Sequence, residues 1–178
     1  MKIAVLVGSL QEKSFNKTLT NNLEKVIGDR ATFEYVDISM PLFNEDLESD
    51  VPEIVEKAKA VVAESDGVLI VTPEYNRSIP GVLKNAIDWL SRPYGSQLFV
   101  GKPVAMAGAS PSPVGTAVAQ SDLRHSMAYL GAKIMSQPEL YLASAHLAFD
   151  EEGNPNEEVA SLLEGYVTTL VAWVENEG

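Results

Sequence analysis

No cysteine occurs in the 178 residues, which excludes disulfides, thiolate zinc sites, iron–sulfur clusters and a Cys nucleophile together. That absence fits a reducing compartment. Positive charge is scarce, with 13 Lys and Arg against 25 Asp and Glu and a net charge of -12. A phosphate backbone is bound by clustered cations, so nucleic acid is excluded as a partner, and an anionic membrane surface with it. The two histidines, His125 and His146, stand alone without ligand spacing; surface or packing roles are expected, and no metal. No run approaches the ~20 apolar residues of a membrane span. The opening residues, MKIAVLV, are too short for a signal-peptide core and run directly into a glycine turn. A cytoplasmic location is therefore expected.

Two phosphate signatures are also missing. There is no Gly-x-x-x-x-Gly-Lys-Ser/Thr, which removes support for an ATPase, and no Gly-x-Gly-x-x-Gly, since only Gly8 stands in the first turn. Without those glycines, Asp37 reads as a surface acid at a strand end and not as a ribose-binding one.

What remains is an ordinary globular composition, 46% apolar and 21% charged, and a length that suits one domain over residues 1–178. Residues 3–7 form a short continuous β-branched run, as in a strand buried on both faces of a parallel sheet. Ser14 is a candidate N-cap for a helix over 16–27, whose stripe is Leu19, Leu23, Val26 and Ile27. A second strand is expected over 32–38, then an acidic loop over 41–51. Pro52 suits the first position of a helix reaching 64. Strands follow at 67–71 and 103–108, and helices at 81–90 and 117–130. Residues 133–135 and 140–142 read as one interrupted fifth strand. A terminal helix over 156–175 packs Leu162, Leu163, Tyr166, Leu170 and Trp173. Five βα units imply a doubly wound, flavodoxin-like parallel sheet of five strands in the order 2-1-3-4-5, with helices on both faces. They are too few for an eightfold barrel.

In such sheets ligands bind beyond the carboxyl ends of the strands, where strand order reverses. Three polar loops are expected to meet there: 8–16, 73–80 and 109–115. The first, GSLQEKSFN, brings hydroxyls, side-chain amides and free backbone N–H groups to a helix N-terminus, a natural phosphate site. Capping needs only Ser14, which leaves Ser9 and Asn16 for a ligand. The second loop is bracketed by Pro73 and Pro80, so its backbone groups point in fixed directions. A flat heteroaromatic ring with polar edges needs backbone donors, an Asn and an aromatic surface of this kind.

The second loop closely resembles the signature of the NAD(P)H-dependent FMN reductases, a family that includes quinone, chromate and azo-dye reductases. Pro73-Glu74-Tyr75-Asn76 and Pro80-Gly81, Leu83-Lys84-Asn85-Ala86 and Asp88-Trp89 occur together in order. Gly8-Ser9, Ser14 and Asn16 match the family's phosphate loop, and the resemblance runs to about residue 142. It implies that Ser9, Gln11, Ser14, Phe15 and Asn16 surround the FMN phosphate. It further implies that Pro73, Glu74, Tyr75 and Asn76 line the flavin ring and that Ser110 closes its other edge. Two departures stand out: Gln11 replaces a frequent Arg, removing a charge from the phosphate site, and Pro113-Val114-Gly115-Thr116 replaces paired glycines.

The family's chemistry implies a ping-pong cycle. NAD(P)H passes hydride to the flavin, and a quinone, flavin, chromate or azo compound then takes the same place. The flavin carries the chemistry, so no catalytic acid or base is named; Arg77 is the candidate to position a nucleotide phosphate or an anionic acceptor. The rival is a flavodoxin-like electron carrier whose acidic surface meets a basic redox protein. The resemblance also implies a homodimer or homotetramer, with Arg124 and Glu139 as a candidate pair between subunits.

Overall fold

The computed structural model describes residues 1–177. Six strands and six α-helices alternate along it: β1 (Lys2–Val7), α1 (Phe15–Ile27), β2 (Thr32–Tyr35), α2 (Glu53–Glu64), β3 (Gly67–Val71), α3 (Gly81–Leu90), β4 (Pro103–Ala109), α4 (Ala117–Tyr129), β5 (Lys133–Ile134), β6 (Leu140–Leu142), α5 (Ala145–Ala148) and α6 (Glu157–Glu177). The sheet order is β2-β1-β3-β4-β5, with β6 also on β4, and every pairing is parallel. The reversal point between β1 and β3 lies where the chain pattern places it.

Burial on both faces explains the unbroken apolar runs. Ile3, Val5, Leu69, Val71 and the small Ala105, Ala107 and Ala109 face one core with α1 and α6. Ala4, Leu6, Val68, Ile70, Val104 and Met106 face the other with residues of α2, α3 and α4. Each fully buried Leu, Ile or Val contributes about 1.5–3 kcal/mol. The alanines of β4 leave room for Tyr166 of α6, which is buried and donates its hydroxyl to the Met106 carbonyl at 2.8 Å.

One strand differs from expectation. β2 stops at Tyr35 because its last ladder partner is Val5; beyond Val5, β1 pairs only with β3. Val36, Ile38 and Met40 nevertheless remain buried on the α2 and α3 side, so the alternation that suggests a longer strand is real although hydrogen bonding to β1 ends with the Val36 N–H on Val5. The fifth strand is interrupted as expected: Ile134 pairs with Val104, and Leu140 with Ala107. Pro138 lies between, and a proline has no N–H to donate to a ladder. Pro52 and Pro80 sit one residue before their helices as extended N-caps. The single turn α5 and short 3-10 segments at Gly28–Arg30 and Glu45–Ser49 have no periodic pattern and are invisible in the sequence.

Candidate active site

The first loop leaves β1 at Gly8, whose N–H donates to Val71 of β3 at 2.8 Å. A Cβ at Gly8 would press on Leu83 Cδ2 at 3.1 Å and Thr72 Oγ1 at 3.2 Å, so the loop begins wedged against β3 and α3. Ser14 is the N-cap of α1: its backbone is extended and its side chain accepts from the Asn16 N–H at 3.2 Å. Between them, the amides of Leu10, Gln11, Glu12, Lys13 and Phe15 find no partner among the described residues. Ser9 is 6% exposed and its hydroxyl makes no hydrogen bond there either. An unpaired hydroxyl and unpaired amides at the positive end of a helix are the donor set that a phosphate monoester requires. Gln11 is exposed, and Phe15 packs its ring against the α1–α6 core, so Phe15 offers only its N–H.

Asn16 is not left over. Its amide donates to the Ala109 carbonyl and accepts the Ala109 N–H, both at 2.9 Å, and it is buried. The side chain therefore ties the start of α1 to the end of β4, and corrects the expectation that it is free for a ligand. The sequence separation of 93 residues leaves no local signal of this brace.

The second loop turns through Asn76 and Arg77 at φ 52° and 62°. Tyr75 and Ser78 exchange both backbone hydrogen bonds at 3.0 Å, a two-residue hairpin turn with positive φ at both central positions. The amides of Glu74, Asn76 and Arg77 remain unpaired among the described residues. Tyr75 is half exposed, whereas Pro73 is buried. The Glu74 side chain is only 6% exposed: it accepts the Val118 and Ala119 N–H groups at 3.0 and 3.1 Å and the Arg77 guanidinium at 3.2 Å. Arg77 is thus paired with an acid of its own loop.

The helical half of the same signature is structural. Asn85 accepts the Phe43 N–H at 2.7 Å and donates to Pro41, Trp89 donates to Pro41 at 2.8 Å, and Lys84 pairs with Asp88 at 2.6 Å. Phe43 meets Trp89 edge to face at 5.0 Å. These contacts hold the loop over 41–43 against α3, which itself supports Gly8.

The third loop is short of space. A Cβ on Gly108 would collide with Thr116 Oγ1 and the Thr72 carbonyl, and Gly115 lies at φ +64° against Tyr141. Ser110 is 9% exposed, donates its N–H to Leu142, and accepts the Ser112 N–H on its hydroxyl at 3.1 Å. The buried amide of Gln120 donates to Thr116 and Leu140, both at 2.9 Å. Close packing of β4 on β3 and α4 therefore replaces the paired glycines.

The remaining candidates lie elsewhere. A concavity of about 490 Å³ lies between the first loop and the end of β2, bounded by Ser9, Lys17, Tyr35, Asp37 and Ser39. It lies toward β2 and away from the reversal point, so it is not the meeting place of the three loops. Asp37 is exposed, and hydrogen bonds from the Ser39 hydroxyl and N–H hold its carboxyl below the usual range. Arg124 and Glu139 pair within one chain at 3.5 Å, which replaces the expected pairing between subunits. Beside them, burial and then Glu139 push the Tyr141 phenol up to about 12. His125 and His146 are exposed. Among the described residues no group of His, Asp and Glu is arranged for a metal ion, and no helix is long and apolar enough to cross a membrane.

The model of one family, NADPH-dependent FMN reductase, matches residues 1–147. The chain belongs to that family. It is 46% identical over 178 residues to a 2-hydroxy-1,4-benzoquinone reductase of Burkholderia sp, covering 99% of this chain and 97% of that one. A quinone reductase of Pseudomonas putida is 39% identical, with 97% and 94% covered. The solved flavoenzyme FerB of Paracoccus denitrificans, an NAD(P)H:(acceptor) oxidoreductase, superposes with a TM-score of 0.94 at 42% identity, covering 99% and 98%. A flavodoxin of Pseudomonas aeruginosa, at 15% identity and a TM-score of 0.62, shares the fold alone. This family member is therefore an FMN-dependent oxidoreductase that uses NAD(P)H, and its near relatives lend the electron-carrier reading no support.

Proposed function

We propose that the whole chain, residues 1–178, is one FMN-binding domain that oxidises NAD(P)H and reduces quinones. The observation that carries this reading is the convergence of two unpaired donor sets across the β1–β3 reversal. Ser9 and the amides from Leu10 to Lys13 and of Phe15 lie on one side; those of Glu74, Asn76 and Arg77 lie on the other. The first set suits a phosphate, with Ser9, Ser14 and the Phe15 N–H around it, Gln11 at its rim, and Asn16 bracing the helix start through Ala109. The second suits the polar edge of a flat ring, with Pro73, Tyr75 and Asn76 along it and Ser110 at the far edge. Gln11 brings no charge, so FMN is held by dipoles and hydrogen bonds, with Lys13 and Lys17 as the nearby cations in sequence.

Bound FMN would supply the two-electron chemistry between NAD(P)H and the acceptor. The protein's own contribution is orientation. The turn at Asn76 and Arg77 fixes the ring loop, and the exposed Tyr75 offers an apolar surface at its rim. The exposed rim beside Tyr75 would admit nicotinamide and quinone in turn, as a ping-pong cycle requires. Hydroxylated benzoquinones head the acceptor class, given what the Burkholderia relative is named for; free flavin, chromate and azo compounds are further acceptors to try.

We also place the protein in the cytoplasm, as a homodimer or homotetramer. Tyr94 and Tyr129, 87% and 81% exposed, with the half-exposed Val100, border a groove between the ends of α3 and α4. An apolar rim of this kind is typical of a surface that is covered in an assembly.

The test is spectroscopic. The FMN-loaded protein is titrated anaerobically with NADH or NADPH, then with 2-hydroxy-1,4-benzoquinone. Rapid loss of the visible band and its return on adding quinone are expected. A yellow protein that neither nucleotide bleaches, or a protein that cannot be loaded with FMN, overturns the reading.

A further inference from the structure

The ring loop is fastened to a helix that is not its own. Glu74 projects from the loop after β3 and caps the N-terminus of α4 from outside, 44 residues away in sequence for Val118. Both carboxylate oxygens are used: one accepts the Val118 and Ala119 N–H groups, the other the Arg77 guanidinium. Thr116, which precedes α4, makes no side-chain cap of its own, so the first turn of α4 depends on Glu74. A second fastening lies one turn along, where the Ser78 hydroxyl donates to Asp122 of α4 at 2.7 Å.

We infer that Glu74 is a positioning residue, one that clamps the ring loop to α4 and holds open a slot of fixed width. The reasoning is geometric. The third loop runs directly into α4 through Thr116, so anything anchored to the start of α4 moves with the third loop. Glu74 and Ser78 anchor the second loop to that same helix, on either side of the turn at Asn76 and Arg77. The two walls that face a flat ligand therefore move as one body. A carboxylate is the right group: it accepts two N–H donors at the positive end of a helix, where its charge is also favoured. The clamp explains why an acid sits buried in a loop read as lining an aromatic ring. It also means that the N-terminus of α4 is already occupied and offers no second phosphate site. The inference rests on the FMN reading for its consequence, but not for the clamp itself.

The experiment compares wild type with Glu74→Ala, Glu74→Gln and Ser78→Ala, first without flavin. In Glu74→Ala, hydrogen exchange at the Val118 and Ala119 amides is expected to rise at least about tenfold, while the β1 and β3 amides stay protected. Glu74→Gln keeps an accepting oxygen and recovers part of the protection. FMN is then titrated by fluorescence. Glu74→Ala is expected to weaken binding about 10- to 100-fold, Ser78→Ala by less, and Glu74→Gln to lie between wild type and Glu74→Ala. Unchanged exchange at Val118 and Ala119 in Glu74→Ala overturns the clamp. Increased exchange with FMN affinity within twofold of wild type overturns its positioning role. A wild-type protein that binds no FMN refutes the FMN reading and, with it, the role toward the ring, while the exchange result still decides the clamp. Global unfolding of Glu74→Ala would raise exchange in the β1 and β3 amides too; the Glu74→Gln and Ser78→Ala series then decides by the same two readouts.

Discussion

Gly108 is the position at which one methyl group does the most damage. Its missing side chain lets β4 lie against the Thr72 carbonyl and Thr116 at once. Gly108→Ala is expected to destabilise the protein by about 2–3 kcal/mol, read as a lowered urea midpoint, because backbone on one side prevents relaxation. Arg77 poses a different question, since its guanidinium is both 65% exposed and paired with Glu74. Glu74 is buried, but it keeps the Val118 and Ala119 N–H donors when the solvated Arg77 is removed, so the pair contributes modestly to stability. Arg77→Ala should leave the urea midpoint nearly unchanged and raise the KM for NAD(P)H about three- to tenfold if the cation meets the nucleotide. Identical kinetics with both nucleotides and every acceptor would remove Arg77 from the site. Ser9 and Asn16 show how little residue type alone says. Both are buried polar residues of the same loop, yet only the serine hydroxyl remains unpaired.

Among the elements, α6 carries the heaviest structural duty, packing Val159, Leu163, Tyr166, Val167, Leu170 and Val174 on the alanine face of β4. Leu163→Ala is expected to cost about 2–5 kcal/mol, since the rigid sheet beneath cannot close the cavity. Tyr166 also gives the helix a pH dependence. Burial raises its phenol above the ordinary 10.0, and Tyr141 is raised in the same direction, to about 12. A phenol whose folded value is raised stays neutral in the native state while the unfolded chain ionises. The stability it contributes is complete below about pH 10 and is lost above it, at roughly 1.4 kcal/mol per pH unit for the fully buried group. Urea midpoints should therefore fall between about pH 9 and pH 11, and Tyr166→Phe should flatten that fall. An equal decline in both proteins would assign the effect to other groups. α3 and α4 differ from α6 in that their first turns serve the loops, one under Gly8 and the other under Glu74.

For the whole molecule, the decisive property is that three loops from distant parts of the chain are each braced to another element of the fold. Asn16 ties the first to β4, Glu74 and Ser78 tie the second to α4, and Ser110 ties the third to Leu142. Association is the property to measure at this scale. Light scattering after size-exclusion chromatography is expected to give a mass at least twice that of one chain. Tyr129→Glu is expected to shift it toward a single chain, because a charge would be buried at the rim of the proposed interface. A wild type that elutes as a single chain at high concentration would end that proposal.

The sheet order was legible in the sequence itself, and with it the β1–β3 reversal at which the site is proposed. Continuous apolar runs alternating with helical stripes admit few topologies, and parallel strands buried on both faces read the same from either side. The first loop was legible because a helix end announces itself through Ser14, and the second through its prolines and the resemblance they carry. Tertiary structure alone decided which polar residues remain available. Asn16 faces Ala109, Glu74 faces α4, Asn85 and Trp89 face the loop at Pro41, and Arg124 finds Glu139 in its own chain. These partners lie roughly 15 to more than 90 residues apart, and a hydrogen bond depends on positions that the fold creates, which no local pattern encodes.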